Sequence, residues 1–549
     1  MPRVMTRTTT SMSCDDANMD APTETTPLLP SQDAPKDKPQ FLNETSPGRF
    51  WVIFSQVLIV QFIGCFEGAI MASSHPVITS YFGAARSASW LSTSFLLTST
   101  AFQPLVGRLS DTVGRKPLFV WCLAIFSFAT VWCAFAGSIE SLILARAMCG
   151  AGAGGSMTLG SIITSDIVPI ERRGVYQSYS SIIYGVGCAL GAALGGIMAE
   201  TLGWRWEFGV QVPVMLLSLG VSIVAIPGDI GLQGSSKGIW VAIKEFDGKG
   251  SVLLVTSTTA LILGLATYLI SSPGTHPIVI SSLAVFAACI PVFLWVESRV
   301  ANPVMPLNLI WNRPRANLLF SNFIATMLTH SILFNIPRPL YFQAVLLSSP
   351  SSSGLRLIFP SVLSSVTSTI TGFAITWTRR LKWPLISGAV CYLFGILPLC
   401  LLQHDLPPIL SLLVLVPSAI GQGFQFPGTF VAILAASEQG EQAVVTGTLL
   451  LWRNLGMVLG IAASSLIVQN ALVRYLNVFV HGDHRDEVIR QVRASVKAVS
   501  LLEPPYQEQA IRSYESALRL MFACCTFIAA VSLLLLIPVK LPRLGSRKA

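Results

Sequence analysis

Charge is what this sequence has least of. Only 11% of its 549 residues are Asp, Glu, Lys or Arg, against about 25% in an average soluble domain. A soluble globule of this length could not keep its surface wet with so few, so a multidomain soluble enzyme is excluded. At 52% hydrophobic residues a disordered chain is excluded too. Paired cysteines are also missing. None of the eleven shows CxxC spacing and all but Cys14 lie in or beside apolar blocks, which argues against a zinc site or disulfide framework and for packing thiols. HExxH, GxSxG, P-loop and His/Cys ligand clusters are absent, so neither an enzymatic reaction nor a metal or cofactor is expected. No secretory signal is expected either, since the N-terminal region lacks an apolar stretch ahead of a small-residue cleavage site.

What the sequence has instead is long apolar blocks, with a mean hydropathy of +0.64. They fall at 51–74, 88–107, 117–137, 141–165, 175–198, 207–227, 250–271, 277–297, 317–336, 354–377, 383–402, 409–435, 443–470 and 518–538. Each is near the ~20 residues needed to cross ~30 Å of hydrocarbon. The expected fold class is therefore all-α integral membrane, with 14 transmembrane helices. A polar, Ser/Thr/Pro-rich tail (1–48) is expected to be disordered and cytosolic. The domains expected after it are a six-helix bundle (49–228), two linker helices (229–300), a second six-helix bundle (301–540) with a charged, helical luminal loop at 471–517, and a short cytosolic tail (541–549).

The net charge of +9 is distributed as a membrane protein distributes it, so no nucleic-acid partner is expected. With the amino terminus in the cytosol, the cytosolic gaps hold Arg108, Arg115, Lys116, Arg172, Arg173, Lys237, Lys244, Lys249, Arg299, Arg313, Arg315, Arg379, Arg380 and Lys382. Lys540, Arg543, Arg547 and Lys548 follow at the carboxyl end. The opposite short gaps hold little more than Arg86, Arg205, Arg338 and Arg356. The 471–517 loop breaks the pattern, but long loops translocate largely regardless of charge. A weak internal repeat supports two related halves. Gly150-Ala-Gly152 and Gly421-Gln-Gly423 each open a similar stretch, and Gly174 to Gly187 has the same spacing as Gly447 to Gly460. Related halves are how secondary transporters place one site at the midplane.

Several motifs carry chemistry. Gly107-Arg-Leu-Ser-Asp111-Thr-Val-Gly114-Arg115-Lys116 reads as a tight cytosolic hairpin: glycines bend it, Asp111 caps or pairs across it, and Arg115 and Lys116 anchor it. It resembles the signature loop of the major facilitator superfamily (MFS), with Thr112 where a basic residue is common. Arg146-Ala-Met-Cys-Gly150-Ala-Gly152 is similar to the family's second motif, whose arginine is associated with proton coupling; the competing reading is an arginine snorkelling to the far interface. Gly187, Gly191 and Gly195 resemble the motif of drug:proton antiporters, without its usual proline, or serve plain close helix packing. Glu67, in Phe66-Glu67-Gly-Ala-Ile-Met, resembles the acidic motif of the fourteen-helix branch and lies too deep to snorkel. Trp204-Arg205-Trp206-Glu207-Phe208 also matches this branch and reads as an aromatic interface anchor. Arg453, in Arg453-Asn454-Leu-Gly456, sits near mid-membrane and is expected to face a cavity or a carboxylate.

Glu67, Arg146 and Arg453 are thus the charged candidates for the transport path. Spacing alone leaves open whether Glu67 faces Arg146 or Arg453. His330, Asn322, Gln422 and Gln425 are candidates for cavity lining, each with interhelical hydrogen bonding as the alternative. Met71 to Phe82 and Ala88-Ser-Trp90-Leu-Ser-Thr93 narrow the resemblance to fungal vacuolar basic amino-acid transporters. That resemblance implies a proton-coupled transporter that exports small solutes from the cytosol, most simply basic amino acids into the vacuole. Its partners would be the solute, protons and the lipid bilayer. A plasma-membrane multidrug or toxin:proton antiporter of the same superfamily shares nearly every motif. A non-transporting nutrient receptor is disfavoured by short cytosolic segments.

Glu24-x-x-x-Leu28-Leu29 has the acidic dileucine pattern that sorting adaptors read for vacuolar delivery. Deleting Leu28 and Leu29 is expected to move a fluorescently tagged protein toward the cell surface; unchanged vacuolar labelling would sink the sorting role.

Overall fold

The computed structural model describes residues 46–84, 88–228, 230, 247–271, 277–300, 303–335, 358–401, 413–482, 484–494, 499, 501–541 and 543–544. The proposed sorting residues Glu24, Leu28 and Leu29 lie outside them. Among the described residues all regular structure is helical: α1 (Pro47–Tyr81), α2 (Ala88–Val113), α3 (Arg115–Phe135), α4 (Ile139–Ile167), α5 (Arg173–Met198), α6 (Arg205–Gly209), α7 (Gln211–Ala225), α8 (Gly248–Ser271), α9 (Pro277–Glu297), α10 (Leu307–Trp311), α11 (Arg315–Asn335), α12 (Ile358–Thr378), α13 (Lys382–Ile396), α14 (Val416–Ala435), α15 (Gln442–Phe479), α16 (Arg485–Ala494) and α17 (Pro504–Leu536). Local chemistry sets several starts. Ser46 caps α1 by accepting from Arg49 N at 3.4 Å, with Pro47 in the first turn, and Ser138 caps α4 by accepting from Ser141 N at 3.2 Å. Gly114, at φ 97°, turns the chain between α2 and α3, a backbone state that favours glycine.

Eleven helices are long and apolar enough, by length and composition, to cross a membrane. The sequence predicts fourteen. The three long helices outside that number are α2, α12 and α14, whose Ser, Thr and Gln side chains lower their hydropathy and meet other helices. Gln425 Nε2 of α14 donates to Ser321 Oγ on α11 at 2.6 Å, and Ser368 Oγ of α12 donates to Ser181 Oγ on α5 at 2.7 Å. The region expected as a helical luminal loop is helical at both ends: α15 runs 38 residues and α17 begins at Pro504. Buried Val488, Val492, Val499 and Tyr514 join this part to the core of the second half.

The glycine repeat has a structural meaning. In the first half, Gly187 and Gly191 of α5 pack on the Phe62 and Phe66 carbonyls of α1; in the second, Gly456 and Gly460 of α15 pack on the Phe323 and Met327 carbonyls of α11. Gly154 of α4 lies on Ser99 of α2, and Gly423 of α14 on Ser364 of α12. Gly152 meets Cys122 and Phe126 of α3, as Gly421 meets Gly388 of α13. Gly195 is also buried on α5. The small residues let backbones approach where larger side chains would hold them apart.

The halves meet at the end that carries the Gly107–Lys116 hairpin. Gly107 faces Ala443 of α15, and Gly174 faces Gly372 of α12. Four hydrogen bonds join the halves among the described residues, all nearer that end: Arg173 Nη2 to Gln442 Oε1 (2.9 Å), Ser178 Oγ to Thr369 O (2.7 Å), Ser368 Oγ to Ser181 Oγ (2.7 Å) and Asn454 Nδ2 to Gln103 Oε1 (2.9 Å).

A Cβ at Gly154 would stand 2.6 Å from the Ser99 carbonyl oxygen, whereas one at Gly220 meets nothing within 4 Å. Gly154→Leu is therefore expected to cost about 1–3 kcal/mol by overpacking and lower the melting temperature in detergent, while Gly220→Leu does not. Equal effects of the two would falsify the backbone-contact account.

Candidate functional site

Three ionisable side chains are sealed inside the first half. Glu67 on α1, Arg146 on α4 and Glu207 on α6 are each 0% exposed. Glu67 stands 20 residues past the start of α1, about 30 Å along it. Arg146 stands seven residues past the start of α4, about 10 Å from that starting end. Length alone would allow the arginine to snorkel. Instead its Nη1 pairs with Glu67 Oε1, its Nε donates to Leu91 O at 3.2 Å, and its guanidinium lies 4.7 Å from the Phe95 ring centroid. The partner of Glu67 is thus Arg146, not Arg453. Helix rotation decides this, and spacing does not encode it. Gln211 on α7 completes the cradle, its Nε2 donating to Glu67 Oε2 at 2.7 Å and to Glu207 O at 2.9 Å.

Glu207 has no such support. Neither of its carboxylate oxygens has a hydrogen-bond donor, and Gln211 Oε1 lacks one as well. Its neighbours are Ser74, Glu67 and Arg146, and the Ser74 hydroxyl proton is already given to Ile70 O at 3.0 Å. One guanidinium faces two carboxylates with no water-exposed surface. Two buried negative charges against one positive are costly, so the arrangement favours a proton on one carboxyl. Glu67 holds both the ion pair and the Gln211 amide, and Glu207 holds neither.

Sequence reasoning missed Glu207 because it sits inside a segment read as an aromatic anchor. Of the two tryptophans only Trp206, at 58% exposure, is open as such an anchor would be. Trp204 is buried against Tyr81, Phe82 and Phe208, and Arg205 stacks over Trp204 and donates to Ala136 O at 3.1 Å. The usable signal was Glu207 and Gln211, two polar residues four apart at the mouth of an apolar segment.

Between the two halves lies a cavity of about 560 Å³. His330, Asn322, Gln422, Gln425 and Arg453 all line it. Glu67 does not: its neighbours Gly68 and Ala69 form the wall, and Phe95 stands with one face on the cavity and the Arg146 guanidinium nearby. The expected transport-path residues therefore divide into Arg453 inside the cavity and the Glu67–Arg146 pair one layer behind it.

The hairpin is a second charged cluster. Arg115 Nη1 pairs with Asp111 Oδ1 at 2.7 Å and donates to Ser110 Oγ at 2.8 Å, while its Nε pairs with Asp166 Oδ2 at 2.9 Å. Arg108 adds a longer contact to Asp111 at 3.6 Å. Asp166, at the end of α4, is the second partner the hairpin motif alone does not reveal. Lys116 follows on the first turn of α3, half-buried. The ten described cysteines are free thiols.

The model of the Major Facilitator Superfamily matches residues 57–461. The chain is 34% identical to multidrug resistance protein fnx1 of Schizosaccharomyces pombe, over 87% of this chain and 90% of that one. It is 30% identical to vacuolar basic amino acid transporter 2 of Saccharomyces cerevisiae, over 82% of this chain and 96% of that one. Among solved structures, the proton:xylose symporter XylE shares the fold at a TM-score of 0.55 and 13% identity, covering 88% of this chain and 95% of that one. Paired helical halves around one cavity, the hairpin and these matches agree: the chain is a multi-pass membrane transporter and belongs to the Major Facilitator Superfamily.

Proposed function

We propose that this transporter is a proton-coupled antiporter that moves basic amino acids from the cytosol into an acidic vacuole. The observation that carries the coupling is the sealed group Glu67–Arg146–Glu207 one layer behind the cavity wall. Buried ionisable groups in membrane helices are costly and are retained for function by default. The printed names of two relatives, vacuolar basic amino acid transporters 1 and 2 of Saccharomyces cerevisiae, support the substrate and the membrane. In this reading α2, α12 and α14 also span, making fourteen helices in two bundles of six, with α8 and α9 as the extra pair. The dileucine tail then directs sorting.

The coupling follows from charge. While Glu67 is ionised it balances Arg146. Once Glu67 takes a proton, Arg146 becomes a buried cation without a counter-charge, and the packing of α1 on α4 that sealed the pair loses its electrostatic support. Proton occupancy thereby biases which arrangement of the halves is favoured. Glu207 is the store from which that proton is exchanged. The hairpin-end hydrogen bonds hold one arrangement closed at that end.

A second reading, a plasma-membrane multidrug or toxin:proton antiporter, is supported by the name of the fnx1 relative. Uptake of radiolabelled lysine, arginine and histidine into vacuolar vesicles, driven by ATP through the resident proton pump, separates the two. The expected result is protein-dependent uptake that a protonophore abolishes and that Glu67→Gln reduces at least ten-fold, about 1.4 kcal/mol. No uptake in vesicles shown to contain the protein favours the drug exporter. Undiminished accumulation by Glu67→Gln removes that residue from coupling.

Stability distinguishes the two carboxyls. Glu67→Gln leaves Arg146 unpaired and is expected to cost about 3–5 kcal/mol. Glu207→Gln imitates the protonated carboxyl, so its melting temperature in detergent should stay near wild type while uptake loses its dependence on luminal pH. A loss of stability equal to that of Glu67→Gln would mean Glu207 is ionised in the folded protein.

A further inference from the structure

Among the described residues, the lining of the cavity between the halves has charge of one sign only. Its described lining contains two guanidinium groups, Arg173 and Arg453, and no carboxylate. Arg173 is held by acceptors from both halves: its Nε donates to Val168 O at 3.0 Å and its Nη2 to Ser165 O and, at 2.9 Å, to Gln442 Oε1, with only its Nη1 left without an acceptor. Arg453 is different. Among the described residues it has neither an ion-pair partner nor a hydrogen-bond acceptor, and its guanidinium carbon lies 3.1 Å from the Phe426 ring centroid. An unpaired cation 11 residues into α15, about 16 Å along the helix, is expensive to hold there.

Two amide groups on the same lining are left incomplete as well. Asn322, 5% exposed, has its Nδ2 donor without an acceptor. Gln425, 2% exposed, gives its Nε2 to Ser321 but leaves its Oε1 acceptor without a donor. Buried polar atoms are nearly always satisfied, so atoms left open along one cavity point to a ligand that satisfies them. The set comprises a guanidinium, an amide donor and an amide acceptor.

We infer that Arg453, with Asn322, holds the carboxylate of the transported solute, and that Gln425 accepts from its ammonium group. The ligand class is the zwitterionic amino acid. A guanidinium binds a carboxylate through two parallel, charge-assisted hydrogen bonds, and the pairing cancels the cavity's stranded charge. A diamine or a lipophilic cation brings no such group and meets repulsion instead. The site therefore selects for the carboxylate that every amino acid shares, and the basic side chain is read elsewhere along the cavity. This inference rests on the antiporter reading only for the choice of basic amino acids as probes.

The test is ligand binding to the purified full-length protein, read as displacement of radiolabelled lysine and as a melting-temperature shift. Lysine is compared with cadaverine and arginine with agmatine, each pair differing only by the carboxylate, and leucine and glutamine are added as neutral amino acids. Each decarboxylated analogue is expected to bind at least about ten-fold more weakly than its parent, the scale of one lost hydrogen-bonded charge contact. Arg453→Gln should erase that difference, and Arg453→Lys should keep part of it. Equal binding of lysine and cadaverine overturns the carboxylate site and leaves the basic-solute reading standing. Binding of neutral amino acids but not lysine, lost in Arg453→Gln, keeps the site and overturns the basic amino-acid reading. No amino-acid binding at all overturns both. Should Arg453→Gln fail to fold, the wild-type comparison within each pair decides alone.

Discussion

Arg146 is a cation with no exposed surface, and much of the first half is arranged around holding it. It needs a counter-charge on α1, a carbonyl from α2 and an aromatic face within reach of one side chain, and an amide from α7 to steady that counter-charge. Such convergence requires helices whose backbones nearly touch. The glycines at 150, 152 and 154 set α4 against α2 and α3, and those at 187 and 191 set α5 against α1. Without close approach the guanidinium would face either lipid or a gap, and neither can solvate it.

The two halves repeat this packing but not its electrostatics. Gly456 and Gly460 hold α15 on α11 as Gly187 and Gly191 hold α5 on α1, and Gly421 and Gly423 make contacts like those of the Gly150 stretch. Yet the first half closes its charges into a pair, whereas the second presents Arg453 open to the cavity. One scaffold used twice thus separates a proton-responsive group from a solute-facing one. Gly68, Ala69 and Phe95 line the cavity between the two, so the pair and Arg453 share no residue.

Most of the architecture could be read from the sequence because hydrophobic blocks, positive gaps and glycine spacing are one-dimensional signals. The Gly174/Gly187 and Gly447/Gly460 spacing marked both the repeat and the contacts that exploit it. The cavity residues were legible for a similar reason, since His330, Asn322, Gln422, Gln425 and Arg453 are polar where lipid forbids polarity. What remained hidden depends on rotation and on three-dimensional neighbours. Glu67 could have faced either arginine, Asp166 lies 51 positions from Arg115, and Glu207 was masked by the tryptophans flanking it. The polar ends of α15 and α17 carry little hydropathy signal, yet the charged segment 471–517 was expected to be helical and is so at both ends.

Those extended ends matter mechanically. Ala325, Tyr392, Leu476, Val488, Val492 and Tyr514 belong to one buried apolar cluster, so the extended ends of α15 and α17 share a core with the rest of the second half. At 38 residues α15 is about 57 Å long. A rotation of ~10° about its hairpin end would sweep the opposite tip through roughly 10 Å. Small adjustments at the end that joins the halves would thus become large displacements at the far tip of this helix.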